Sequence, residues 1–282
     1  MESNYQRPVT PVEPIAPWLG GKKHLAQRLV NLIADIPHKT YVEPFIGMGG
    51  VFLRRHYAPP AEVINDINRE LVTMFRVAQR HRAAFIEAVD RWSLASRDEF
   101  DRLKRTPPDV LTDIERAARF LYLQRQAFGG KVKHPSFGVD VAGGSRLRAR
   151  AAVRHIEDLG RRLEGVIIEC LPWRDLIDRY DRPDTLFYLD PPYWGCESDY
   201  GSDFKRSDFY DMAARLRKLQ GRFMLSLNDA NGVRECFAGF HFIEVETTYS
   251  MGTRERGVGQ RADELIITKS GGISSGRLFD MT

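Results

Sequence analysis

Asp190, Pro191, Pro192 and Tyr193 follow directly on Leu186, Phe187, Tyr188 and Leu189, an apolar run that reads as a buried strand. Proline has no N–H to give a sheet, so the two prolines must lie past the ladder. They fix the backbone and leave carbonyls without an obvious partner. A carboxylate, fixed carbonyl acceptors and an aromatic hydroxyl at a rigid strand exit have the makings of a site. A second group of residues has similar promise. Glu43 stands at the end of the strand-like TYVEPFI and just before the turn GMGG, whose Gly47 and Gly49 allow close backbone approach to a ligand. No P-loop lysine follows, and an acid beside the glycines suits a ligand with a positive group. Asp66 lies twenty-three residues after Glu43. That is close to the spacing of ~20 residues at which a second-strand acid grips ribose hydroxyls, although an aspartate there can also cap the next helix. Upstream, Trp18 can lie over a flat ring and Lys22 can reach an anion, or the two can simply open a helix.

These residues need elements to position them. The spacing of Leu25, Leu29, Leu32, Ile33 and Ile36 predicts a helix from about Lys22 to Ile36. Strand-like Thr40–Ile46 and Glu62–Asp66 follow, with VFLRR opening a helix between them and another helix after them. From about Phe85 to Arg162 the segments are Arg-rich and helical, interrupted by FGGKVKHPSFG, which reads as an exposed hairpin or loop. Alternation then resumes with strands at 166–170, 185–190 and 222–229, the last two strands, 240–249 and 263–269, pairing as an antiparallel hairpin. Such β–α alternation implies a mostly parallel sheet with helices on both faces and a ligand site at the strand C-termini.

Composition narrows the class. The 282 residues are 43% hydrophobic with no apolar run long enough for a membrane span, and no apolar signal core opens the chain. Three widely spaced cysteines without CxxC spacing suggest neither a disulfide framework nor a zinc site, so a reduced intracellular setting is the default. The net charge is +4, but from Arg119 to Arg162 ten lysines and arginines face three acids, a local excess of +7 that leaves −3 for the rest. One segment holding all the excess positive charge fits either a polyanion-binding surface or a solvated helix face.

The order of PWLGGK, VEPFIGMGG, NDIN, a basic insertion and LDPPYW resembles the Dam-type (D12 class, alpha group) adenine-N6 DNA methyltransferases over roughly Pro17 to Lys269. The resemblance implies a Rossmann-like S-adenosylmethionine-dependent methyltransferase fold with a mostly parallel sheet and a small helical DNA-recognition insertion. The catalytic domain would comprise residues 15–80 and 163–270, the insertion 81–162, and the flexible tails 1–14 and 271–282. It further implies transfer of a methyl group to adenine N6 in a specific sequence of double-stranded DNA, as in restriction–modification, by a cytoplasmic monomer that needs no metal. Asp190 and the Pro191 carbonyl would accept the two N–H bonds of the amine and stabilise the charge that builds on it. Pro192 would keep that carbonyl fixed, and Tyr193 would stack on a base flipped from the duplex. Trp194 and the loop 195–206 could close over it. Trp18, Lys22, Glu43, Gly47, Gly49, Asp66 and Asp190 would bind the cofactor, with Trp173, Arg174 and Asp175 near its adenine. Arg125, Lys131 and Lys133 would touch DNA.

Cytosine-C5 methylation needs a cysteine in a Pro-Cys pair, and Cys170 instead precedes Leu171-Pro172. Cytosine-N4 methylation usually carries serine, and RNA or protein amide methylation asparagine, where this chain has Asp190. A catalytically silent nucleic-acid-binding relative would not be expected to keep the whole tetrad. A nucleotide-dependent oxidoreductase explains Asp66 but gives the tetrad no role.

Overall fold

The computed structural model describes residues 6–22, 25–92, 94–130, 135–138, 149–197, 204–248 and 261–269. Its main sheet contains β2 (Thr40–Glu43), β4 (Ala61–Asn65), β5 (Ile167–Glu169), β6 (Thr185–Leu189), β7 (Arg222–Asn228), β8 (His241–Thr248) and β9 (Arg261–Thr268). The order is β5-β4-β2-β6-β7-β9-β8. The first five are parallel, and β9 runs antiparallel to both β7 and β8. The expected C-terminal hairpin therefore forms, with its second strand in an interior slot.

Alternation along each strand sorts side chains onto two helical layers. On β6, Leu186 and Tyr188 join one core while Phe187 and Leu189 join the other. The first core is covered by α1 (Ala26–Ala34), α2 (Arg69–Arg80), α3 (Arg82–Arg91), α5 (Asp113–Gln126) and α6 (Ala149–Arg162). The second is covered by α7 (Trp173–Tyr180), α8 (Arg206–Lys218) and α9 (Asn231–Cys236).

Helices of the insertion pack into the sheet's own core. Phe85, Val89, Ala117, Leu121, Ile156 and Leu159 belong to the same core as the sheet. Among the described residues, only α4 (Arg97–Arg105) builds a small core of its own, from Phe100 and Leu103 against Tyr122 and Leu123 of α5. At the expected boundary after residue 162, Arg162 makes two 2.8 Å bonds to Glu62 at the start of β4. Arg55 donates to the same carboxylate at 2.8 Å, and all three side chains are buried. The two guanidiniums lie over aromatic faces, Arg55 over Tyr41 at 3.8 Å and Arg162 over Phe52 at 3.9 Å.

Part of the N-terminal arm is paired as well. β1 (Arg7–Pro8) pairs with β3 (Tyr57–Ala58), and the N–H groups of Val9 and Val12 reach His56 and Leu53 carbonyls, both at 2.9 Å. The helix expected at VFLRR is a single 3-10 turn, Phe52–Arg54, because the chain must leave it extended to form β3.

Candidate active site

β2 and β6 are neighbours from which the sheet is built outward in opposite directions, β4 and β5 on one side and β7 on the other. At this reversal the flanking helices lie on opposite faces and a crevice opens past the strand C-termini. A cavity of about 950 Å³ occupies that place. Trp18, Lys22, Glu43, Gly47, Asp66, Asp190, Pro191 and Pro192 all line it, as does Trp173.

The glycine turn owes its shape to two contacts. Gly47 has φ +49°, and a Cβ there would stand 2.7 Å from Nε1 of Trp18, so the indole packs directly on the turn. The Gly47 N–H donates to Asp66 Oδ2 at 3.1 Å, while Oδ1 accepts from Asn68 N at 2.9 Å. Asp66 is thus not the helix cap. Asn68 is, accepting from the Glu70 and Leu71 N–H groups. Burial pushes the Asp66 carboxyl up to about 6, against those backbone donors. Gly49 does not face the cavity; its φ of +76° serves the turn, with Leu53 packed where a side chain would be.

Glu43 is 2% exposed and accepts from Tyr41 Oη at 2.7 Å. Burial pushes its carboxyl up to about 8; the Tyr41 bond opposes this and the Asp190 charge adds to it. An acid whose folded value exceeds its unfolded value binds more protons folded, so stability falls as pH rises between the two. Between pH 5 and pH 8 the wild type should therefore lose melting temperature relative to Glu43→Gln. Parallel profiles for the two proteins would exclude the buried charge as the cause.

Asp190 closes β6. Its Oδ1 accepts from Ser226 Oγ at 3.2 Å and lies 3.0 Å from Lys22 Nζ. Ser226 is held in turn by the Tyr188 hydroxyl at 2.9 Å. Burial raises the Asp190 carboxyl, and Lys22 counters by favouring its charge. Lys22 is itself 3% exposed and donates to Glu264 Oε1 at 2.7 Å. Tyr193 turns toward this group rather than into the cavity: its hydroxyl bonds Glu264 and Lys22, and the lysine nitrogen lies 4.3 Å from its ring centre. The cation thus sits at the hydroxyl end of the ring expected to stack on a base.

Glu264 is the residue that the sequence reading missed. It is 1% exposed, and β9 brings it to this end of the sheet by pairing it with Asn228 at the end of β7. Its signal was an acid inside the apolar run ELIIT. Burial raises its carboxyl, and Lys22 opposes that rise.

Other expectations shift. Trp194 is clamped rather than loose: its N–H donates to Asn228 Oδ1 at 2.9 Å, its carbonyl accepts from Nδ2 at 3.1 Å, and the Arg206 guanidinium lies 3.9 Å from its ring. Residues 198–203 of the loop after it lie outside the described residues. Trp173 is buried against the cavity, and Arg174 is tied to Asp208 and Asp211. The basic segment is less exposed than its charge count implies. Arg119 is buried and donates to the Leu103 and Lys104 carbonyls. Arg125 donates to Ile15 O at 2.8 Å and lines the cavity, while Arg162 belongs to the Glu62 cluster. Arg161 is exposed but paired with Asp158. Lys131 and Lys133 lie outside the described residues. The base of their loop is a hairpin: an antiparallel bridge joins Ala127 to Phe137, and Phe128 N–H donates to Ser136 O at 2.9 Å.

Sheet order and cleft together define a Rossmann-like α/β fold with a ligand crevice. The family model of D12 class N6 adenine-specific DNA methyltransferases matches residues 18–251, and the chain belongs to that family. It is similar to the type II methyltransferase M1.LlaDCHI of Lactococcus lactis subsp. cremoris, 26% identical over 280 residues, covering 92% of this chain and 96% of the relative. It is also similar to the DNA adenine methylase of Haemophilus influenzae, 24% identical with 84% and 87% covered. The DNA adenine methylase of Vibrio cholerae is 23% identical with 92% and 96% covered. The protein is therefore an enzyme that methylates adenine N6 in DNA, and it draws on a methyl donor. No helix among the described residues is long and apolar enough to cross a membrane.

Proposed function

We propose that the donor is S-adenosylmethionine, that the substrate is a specific sequence in double-stranded DNA, and that the Asp190–Tyr193 exit acts on an adenine flipped out of the duplex. The observation that carries this reading is the placement of Asp190 at the switch point, between a paired lysine and two buried prolines. The cavity residues fit that donor. Asp66 offers acceptors for ribose hydroxyls. Ile67, 51% exposed, lies with Pro172 and Trp173 along an apolar wall suited to a flat ring. Glu43 offers an acid that a cationic end would draw into its charged form, beside the turn of Gly47 and Gly49, while Trp18 buttresses that turn.

When bound, S-adenosylmethionine supplies an electrophilic methyl group on a sulfonium. The protein must make a poor nucleophile attack it. The adenine amine is delocalised into its ring, and acceptors on both N–H groups draw it toward tetrahedral geometry and stabilise the developing positive charge. Asp190 and the Pro191 carbonyl are assigned that task, with Pro192 holding the backbone. Alignment of nitrogen and methyl contributes much of the acceleration. Lys22 and Glu264 hold Asp190 and Tyr193 in place. The base must leave the stack to be reached, and Tyr193 supports it there. The enzyme acts as a monomer in the cytoplasm, and Lys131, Lys133 and Arg125 are assigned to DNA contact.

The test is methyl transfer. The protein is incubated with S-adenosylmethionine and unmethylated genomic DNA, the DNA is digested, and the nucleosides are read by mass spectrometry. N6-methyldeoxyadenosine is expected, and N4-methyldeoxycytidine in its place would overturn the base assignment. On the same reading Lys131→Ala should weaken DNA binding about tenfold or less, and flatten its salt dependence, with cofactor affinity unchanged. Unchanged DNA affinity in a filter-binding titration would move the recognition surface elsewhere.

A further inference from the structure

The segment that carries Trp18 and Lys22 is fastened to α5 at its C-terminal end. Gln124 is 3% exposed, and its side-chain nitrogen donates to Pro17 O at 2.8 Å and to Gly130 O at 2.7 Å. One buried amide thus bridges two backbone segments that are far apart in sequence. Arg125 adds the bond to Ile15 O. Gly130 completes the clasp: at φ +67° its backbone lies so close that a Cβ would stand 3.0 Å from the Pro17 carbonyl carbon and the Trp18 nitrogen.

Each side of this clasp leads to a different function. On one side, Gly21 N–H donates to Trp18 O at 3.0 Å and the chain enters Lys22, which holds Asp190. The Trp18 indole sits on the Gly47 turn that Asp66 anchors. On the other side, Gly130 immediately precedes Lys131 inside the loop that Ala127 and Phe137 close. A shift at the loop base must therefore move Pro17 and Trp18, or break the amide bonds.

We propose that Gln124 is a positioning residue that couples DNA engagement at the 127–138 loop to the cofactor and amine sites. The inference rests on the reading that this loop touches DNA. The coupling runs through a contiguous set of bonds and contacts, and by linkage DNA and cofactor must affect one another equally.

Gln79 provides a matched control. Its amide likewise donates two hydrogen bonds, to Leu163 O at 2.6 Å and Val166 O at 2.9 Å, but at the C-terminal end of α2, before β5. The experiment measures affinity for S-adenosylhomocysteine by titration calorimetry, alone and with a saturating duplex that carries the sequence the wild type methylates. Wild type should bind about 10-fold more tightly with the duplex. Gln124→Leu should keep its affinity without DNA and lose that increase, whereas Gln79→Leu should retain it. Gly130→Ala crowds the same contact from the other side while keeping the Gln124 side chain, and it should lose the increase too. A purely structural role would lower melting temperature without changing the ratio. A full increase in Gln124→Leu and Gly130→Ala, an equal loss in Gln79→Leu, or no increase in wild type would overturn the inference while methylation stands. A wild type that methylates no DNA would instead overturn the functional reading beneath it.

Discussion

Asp190→Ala should lower single-turnover methyl transfer by about 10³-fold or more and leave the protein folded. The loss follows from removing an acceptor that acts on charge built up in the transition state, where one such group is worth ~10²–10³ and works jointly with its neighbours. Survival of the fold follows from the charges around it. Lys22 now faces two carboxylates, Asp190 and Glu264, in a buried cluster. Removing one leaves a matched pair, with Lys22 still 2.7 Å from Glu264. Excess negative charge is relieved rather than created, so the melting temperature should hold or rise. Rapid-quench rates and a thermal melt check both halves, and near-normal turnover would remove Asp190 from the chemistry.

Glu62→Gln should do the reverse, destabilising the protein by about 3–5 kcal/mol without touching the cavity. Two buried guanidiniums, Arg55 and Arg162, share the Glu62 carboxylate. A neutral amide leaves both without a counter-charge, and breaking a buried pair costs about that much. This is a large part of the ~5–15 kcal/mol expected for a whole domain. Urea titration measures it. Adding Arg162→Met to Glu62→Gln should recover part of the loss, because one stranded cation is then gone. A loss below about 1 kcal/mol in the single variant would mean that the Tyr41 and Phe52 faces suffice for the two cations.

What the sequence disclosed depended on whether a residue's partner was near in sequence or carried a local pattern. β2, β4 and β6 were legible because buried parallel strands are short apolar runs. Glu43, Asp66 and Asp190 could be aligned at one sheet end from those runs alone. Glu264 could not. An acid in a terminal hairpin reads as the solvent side of an edge, and only the insertion of β9 between β7 and β8 makes it interior. Arg162 and Arg119 were counted as surface charge because an arginine looks the same whether it meets water or, as Arg162 does, a carboxylate one hundred residues away. The strand Arg7–Pro8 has no periodicity of its own; it exists through its pairing with Tyr57–Ala58. The glycine turn was readable as a turn. That an indole would pack on it at Gly47 was not, since no local rule ties Trp18 to a residue nearly thirty positions on.

The interior slot of β9 also sets a timetable. During synthesis Lys22 emerges first, Asp190 and Tyr193 much later, and Glu264 after all of them. β7 and β8 do not pair with each other, so the sheet beyond β7 stays open until Arg261–Thr268 arrives to fill it. Joining residues 22 and 264 is a contact of very long reach, the kind that forms late and slowly. A nascent chain still attached to the ribosome can thus hold cleft, glycine turn and tetrad while lacking the carboxylate that sets its lysine and tyrosine. Completion of the site waits for β9, and a chain that has not yet made that strand has no finished centre with which to mark DNA.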